Sequence, residues 1–107
     1  MTDKELLELA AKAAGYTLEE RYTKQDEYWP WCEEVDSIWN PLRDDGDALR
    51  LAVKLRIELE FYDGFEEVFA TENTIEAISQ TEPYKNDPYA ATRRAIVRAA
   101  AEIGRTL

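Results

Sequence analysis

The stretch that decides the fold runs from residue 55 to residue 71 and reads LRIELEFYDGFEEVFAT. Apolar side chains alternate with polar ones from Leu55 to Tyr62, and this two-residue period is typical of a strand. Asp63-Gly64 is a signal for a two-residue hairpin turn. The pattern therefore predicts a strand over 56–62 and an antiparallel return over 65–71.

Two helices are predicted on the N-terminal side of this hairpin. Thr2 and Glu5 form a capping-box pattern, which predicts a first helix over 3–14 that ends at Gly15. Carboxylates from Asp44 to Asp47 suit the first turn of a second helix, because they complement the helix dipole and cap free amides. That helix is expected to stop near residues 54–55, where the strand period begins.

A last helix is predicted near the C-terminal end of the sequence. Asp87 suits its N-cap and Pro88 its first position, and Gly104 is expected to end it. Its predicted inner face consists of Tyr89, Ile96, Ala99, Ala100 and Ile103. Its alanines would let a neighbour approach closely, which favours either helix-on-sheet packing or a homodimer contact between helices.

Two further segments are harder to assign. Pro30 and Pro41 disfavour a helix or a central strand over 16–43, so we expect an ordered loop there with one short edge strand. Ile75, Ala77 and Ile78 indicate a short third strand. The order helix, loop, helix, hairpin, strand, helix predicts an α+β fold in which a small antiparallel β-sheet packs with helices.

Length and composition bound the class of protein. The chain has 107 residues, of which 45% are hydrophobic and 34% charged, as expected for a single globular domain over 1–107. No run of about 18 apolar residues occurs, so no membrane contact is expected. Residues 1–5 lack the features of a signal peptide, and the one cysteine fits a reducing compartment, so we expect a cytoplasmic protein.

The sequence contains no histidine and a single cysteine, Cys32. It therefore lacks the commonest general base near neutral pH and the commonest zinc ligand, and it carries no familiar nucleotide-binding or hydrolase motif. We expect no catalytic residue, no metal site and no cofactor. Cys32, beside Trp31, is predicted to pack as a small hydrophobic residue, with a pKa raised by Glu33 and Glu34.

Charge is unevenly distributed along the chain. There are 23 acidic and 13 basic residues, giving a net charge of −10, which argues against direct binding of nucleic acid. Four arginines lie beyond residue 87, and Arg94 and Arg98 are one helical turn apart. They either belong to a solvated outer face or form a site for a phosphate or carboxylate.

The second candidate site is the aromatic group formed by Tyr28, Trp29, Trp31 and Trp39. These rings either fill one end of the core or line a binding surface, since Trp and Tyr are enriched at the centres of interfaces. Asp44, Asp45 and Asp47 lack the spacing of a calcium loop, and capping is the favoured role for them. A hydrolase built on carboxylates stays open as an alternative because 23 acidic residues offer many pairs.

Two stretches resemble a known family. Residues 39–42 (WNPL) with 44–55 (DDGDALRLAVKL), and residues 87–96 (DPYAATRRAI), are similar to segments of small phage and prophage proteins called the phage ABA-sandwich domain. The resemblance covers about a quarter of the chain. It implies an α/β/α layered sandwich and a phage or prophage gene acting in a bacterial host cell. It brings no established activity and no catalytic residues.

Taken together, these features favour a non-enzymatic phage accessory protein that acts by binding a host or phage protein. A partner with a basic nucleic-acid-binding site, such as a component of host defence or transcription, would suit the negative charge, and a counter-defence inhibitor is one protein of this kind. The first alternative is a module that binds a nucleotide or another phosphate compound through the tryptophans and arginines. The second alternative is a metal-dependent hydrolase that uses acidic residues.

Overall fold

The computed structural model describes residues 1–107 and contains three helices and six strands. In chain order these are α1 (Asp3–Ala14), β1 (Leu18–Glu19), β2 (Trp31–Cys32), β3 (Ser37–Ile38), α2 (Asp45–Leu55), β4 (Glu58–Tyr62), β5 (Glu67–Thr71), β6 (Ser79–Pro83) and α3 (Pro88–Arg105). Helices α1 and α3 begin at the residues that the sequence predicts, and α2 begins within the predicted acidic run of residues 44–47. The capping side chains Thr2, Asp44 and Asp87 each accept a hydrogen bond from a backbone N–H of the first turn.

The strands form two separate antiparallel sheets, in the orders β1-β2-β3 and β4-β5-β6. In the second sheet, Phe61 pairs with Val68 and Leu59 pairs with Ala70, so these four side chains lie on one face. Val68 and Ala70 are fully buried, which shows that this face covers the core. The opposite face, which we call the acidic face, consists of Glu58, Glu60, Tyr62, Glu67, Phe69, Thr71, Ser79, Thr81 and Pro83.

Helix α3 lies at the centre of the molecule. It packs against α1, α2 and strands β5 and β6. Its Arg98 side chain reaches β6 on one side, while Gly104 contacts the backbone of α1 at Leu9 on the other. The predicted α+β class, with a small antiparallel sheet packed on helices, is confirmed. Within that class, α3 separates the second sheet from α1.

Five alanines of α3 pack against other elements of the same chain. Ala91, Ala95, Ala99, Ala100 and Ala101 are all buried against the other elements. Because alanine has a short side chain, several neighbours can approach the helix axis closely.

None of the three helices has the length and hydrophobicity that a membrane crossing requires.

The structure corrects the prediction for residues 16–43. This segment contains three two-residue strands and an isolated bridge between Tyr22 and Tyr28, where a single edge strand is predicted. The rest of the segment includes turns, and one of them places Asp36 in the left-handed region, at a φ of 52°. Strands of two residues are too short to show a period in the sequence, so the sequence does not predict the first sheet, β1-β2-β3.

Two strand predictions are wrong in position. The hairpin loop has four residues, 63–66, because Tyr62 pairs with Glu67, and it therefore includes Phe65. The third strand is Ser79–Pro83, where residues 75–78 are predicted. Ile75 is fully exposed in the preceding loop, which the hydrogen bond from the Glu72 N–H to the Ile78 carbonyl oxygen closes.

The predicted boundary and inner face of α3 also need correction. The helix continues through Gly104 to Arg105, so Gly104 does not end it. Of the predicted inner face, Ile96, Ala99 and Ala100 are buried, whereas Tyr89 is 72% exposed. Tyr89 lies in the first turn of α3 and faces a surface groove described below.

We expect Gly104→Ala to destabilise the protein, because a Cβ atom there would lie 1.9 Å from the Leu9 carbonyl oxygen. The two helices would have to separate, at a cost of about 2 kcal/mol or more in the free energy of unfolding. Urea denaturation of both proteins measures this difference. Gly64→Ala is the matched control, since its Cβ would meet nothing within 4 Å, and an equal loss in both variants would contradict the explanation.

Candidate functional site

The aromatic group predicted as one site is divided between the core and the surface. Trp39 is only 2% exposed, and its ring packs edge-to-face against Tyr16 with the ring centroids 5.6 Å apart. Its backbone N–H donates to the Pro30 carbonyl oxygen, which fixes the end of β3. Trp39 is therefore a core residue and has no surface to offer to a ligand.

The other three rings are half-buried. The Tyr28 ring packs against Tyr22 at a centroid distance of 5.8 Å, and the Lys4 ammonium lies 5.5 Å from the Tyr28 centroid. Trp31 points away from the core, and the Arg21 guanidinium lies over its ring at 4.9 Å. The Trp29 backbone N–H donates to the Arg21 carbonyl oxygen. Cations of the chain itself thus contact two of the rings.

Cys32 is buried on the inner side of the first sheet, as predicted. Burial raises the pKa of its thiol, and the hydrogen bond from its Sγ to the Glu34 carboxylate, at 3.6 Å, acts in the same direction. The thiol therefore stays protonated near neutral pH. It packs as a small apolar group, which confirms the prediction.

Arg94 and Arg98 do lie together, in a cleft of about 380 Å³ between α1, α3 and β6. Arg98 donates to the Glu82 carboxylate and, at 3.1 Å, to the Thr81 carbonyl oxygen. Arg94 is paired with Asp3 at 3.1 Å. Each guanidinium therefore already has a carboxylate partner.

The lining of this cleft bears on the phosphate hypothesis. Besides the two arginines it contains Glu82 and Glu102, and it contains no aromatic ring. A phosphate entering the cleft would meet these carboxylates, which repel it. None of the tryptophans lines this cleft, so the structure does not unite them with the two arginines in one nucleotide site.

The acidic run at the start of α2 has structural partners. Asp44 accepts the Asp47 backbone N–H at 2.8 Å, which is the predicted capping role. Asp47 is buried and accepts the Asn40 N–H and an Arg50 guanidinium N–H, both at 2.9 Å. Asp45 pairs with Arg93 at 2.6 Å. No group of three or more Cys, Asp or Glu side chains converges in a way that could hold a metal ion.

The largest apolar concavity lies elsewhere, between α2, β4 and the first turns of α3. We call it the apolar groove; its volume is about 480 Å³. Three large residues line its sides, namely Leu49, Phe61 and Tyr89, and they are 62%, 57% and 72% exposed to solvent. Its remaining lining residues are Asp45, Ala48, Leu59, Pro88, Thr92, Arg93 and Ile96.

Sequence reasoning missed this groove because its residues come from three distant segments. A signal for part of it exists in α2, where Leu49 and Val53 are four residues apart and lie outside the buried stripe of Ala48, Leu51 and Ala52, and of these two Leu49 lines the groove. A second apolar stripe on a helix indicates a second contact surface. Phe61 fits the strand period, and only the tertiary structure shows that it lines a groove and stays half exposed.

We expect Arg98→Ala to lower the free energy of unfolding by about 1–3 kcal/mol, since it leaves the mostly buried Glu82 carboxylate without its partner. Arg94→Ala should cost less than about 1 kcal/mol, because its ion pair with Asp3 is exposed. Thermal unfolding with and without inorganic phosphate measures both effects. If phosphate raises the Tm of the wild type and of neither variant, the two arginines form an anion site instead.

Comparisons of the chain with protein-family models, with curated proteins and with solved structures found no match.

Proposed function

We propose that this protein acts by binding another protein, and that the apolar groove is the contact surface. The observation that carries the proposal is the exposure of Leu49, Phe61 and Tyr89 around one concavity. Large apolar side chains grouped on the surface of a small domain mark an interaction site, because each leaves apolar area in contact with water. The sequence also favours a protein that acts by binding another protein.

The groove is built on rigid elements, which suits a binding surface. Leu59 lies on β4 and Ile96 on α3, and both are packed against the core. At one end of the groove, Arg93 donates to the Leu42 carbonyl oxygen at 2.9 Å and pairs with Asp45. A partner that fills the groove would therefore gain apolar contact without the entropy cost of ordering the residues that line it.

Charge indicates the kind of partner. The net charge of −10 favours a basic protein and steers its approach, an effect that salt weakens. A host protein with a basic nucleic-acid-binding surface has this character. The phage or prophage setting, the bacterial cytoplasm and a counter-defence role rest on the family resemblance and belong to this proposal.

The test is capture from a nuclease-treated bacterial lysate on the immobilised protein, followed by titration of the purified partner. We expect Phe61→Ala to weaken binding roughly tenfold, because it removes a central apolar contact. The affinity of the wild type should also fall between about 50 and 300 mM salt as charges are screened. Native mass measurement of the complex gives its stoichiometry.

Phe65→Ala is the matched control. Phe65 is 76% exposed in the hairpin loop and does not line the groove, so its loss should leave binding unchanged. A captured protein that binds wild type and Phe61→Ala equally well would contradict the proposal. So would equal losses in the two variants, which would indicate a non-specific apolar contact.

A further inference from the structure

Strand β4 forms one edge of the second sheet and borders the apolar groove. It pairs only with β5, along its whole length from Glu58 to Tyr62. Alternate residues of an antiparallel edge strand direct their N–H and C=O groups away from the sheet. The strand contains no proline, and its φ angles are negative throughout, so neither a proline nor a left-handed residue interrupts its edge.

The other edge of the same sheet is protected. On β6, the Arg98 guanidinium donates a hydrogen bond to the Thr81 carbonyl oxygen, and Pro83 has no backbone N–H group to donate. These are devices by which proteins block unwanted strand pairing. The open edge is therefore specific to β4, on the side where the groove lies.

Side chains on the two faces of β4 differ in chemistry. Leu59 and Phe61 line the apolar groove, whereas Glu58 and Glu60 lie on the acidic face, which carries three carboxylates and no basic residue. A strand added beside β4 would place its alternate side chains over these two faces in turn. Apolar side chains would enter the groove, and basic ones would meet Glu58 and Glu60.

We infer that the partner binds as an extended segment that adds a fourth strand to β4 and in which apolar residues alternate with lysine or arginine. This inference rests on the proposed function and names the chemistry of the partner's contact segment. Backbone hydrogen bonds would supply affinity, and the alternating pattern would supply specificity.

Charge favours such a segment over a second copy of this chain. Pairing of β4 with β4 of another copy would bring Glu58 and Glu60 of each close to those of the other. Like charges directly opposite each other destabilise a strand pair, and two chains of net charge −10 also repel at long range.

The test uses the full ¹⁵N-labelled chain and an acetylated, amidated peptide of about seven residues in which lysine and valine alternate. We expect the peptide to shift the amide NMR signals of β4 and of the groove, and to slow hydrogen exchange of alternate β4 amides roughly tenfold at saturation. A peptide of the same composition with its valines contiguous should bind far more weakly. Shifts located away from β4, or equal binding of both peptides, would overturn the inference.

Protein variants test the charge pattern separately. Glu58→Gln combined with Glu60→Gln should weaken binding of the alternating peptide roughly three- to tenfold at low salt. The control pair Glu8→Gln and Glu33→Gln removes the same charge from exposed positions on α1 and in the β2–β3 turn, and should change affinity less. Equal effects of the two pairs would overturn the assigned contact.

The outcomes separate the two proposals. If capture of the partner needs Phe61 but the peptide leaves β4 unchanged, the strand-addition inference fails and the proposed function stands. If the peptide binds β4 but capture does not depend on Phe61, the proposed function fails. A homodimer that Phe61→Ala dissociates would show that a second copy occupies the edge, and would overturn the inferred partner.

Discussion

The close approach of α3 to α1 at Gly104 and Leu9 is the constraint on which the arrangement of the other elements depends. With only a hydrogen atom at position 104, the two helix backbones can touch, and the alanines of α3 let the second sheet approach from the opposite side. A central helix with bulkier side chains would push these layers apart. Both the apolar groove and the cleft around Arg98 lie where other elements meet α3, so their shapes follow from this packing.

The core built around that helix is made of small residues. More than half of its twenty members are alanines, and Leu7, Leu51 and Val97 are among its largest fully buried side chains. Several larger apolar residues, by contrast, lie at the surface of the groove. Burial would release apolar area from water for each of them, so their absence from the core is a cost that the binding role proposed above would offset.

Local signals in the sequence account for most of the architecture. Capping residues mark the start of each helix, and the period of residues 55–62 marks the hairpin, because these features depend on neighbours in the chain. Residues 79–83 and the short strands of 16–43 lack such a signal, since their own sequences show no alternation and they become strands by pairing with their neighbours. The groove combines Leu49, Phe61 and Tyr89 from separate segments, so tertiary packing had to bring them together. For Arg94 and Arg98 the sequence predicts their proximity, but it does not reveal the carboxylates that neutralise them.

The burial of Cys32 makes its thiol a probe of local opening. Its sulfur is the one thiol of the chain and is wholly enclosed beneath the β2 backbone. A maleimide dye can couple to it only while the β1-β2-β3 unit is open, so the labelling rate reports how often that unit opens. The natural cysteine thus allows local opening of the β1-β2-β3 sheet to be measured without an engineered probe.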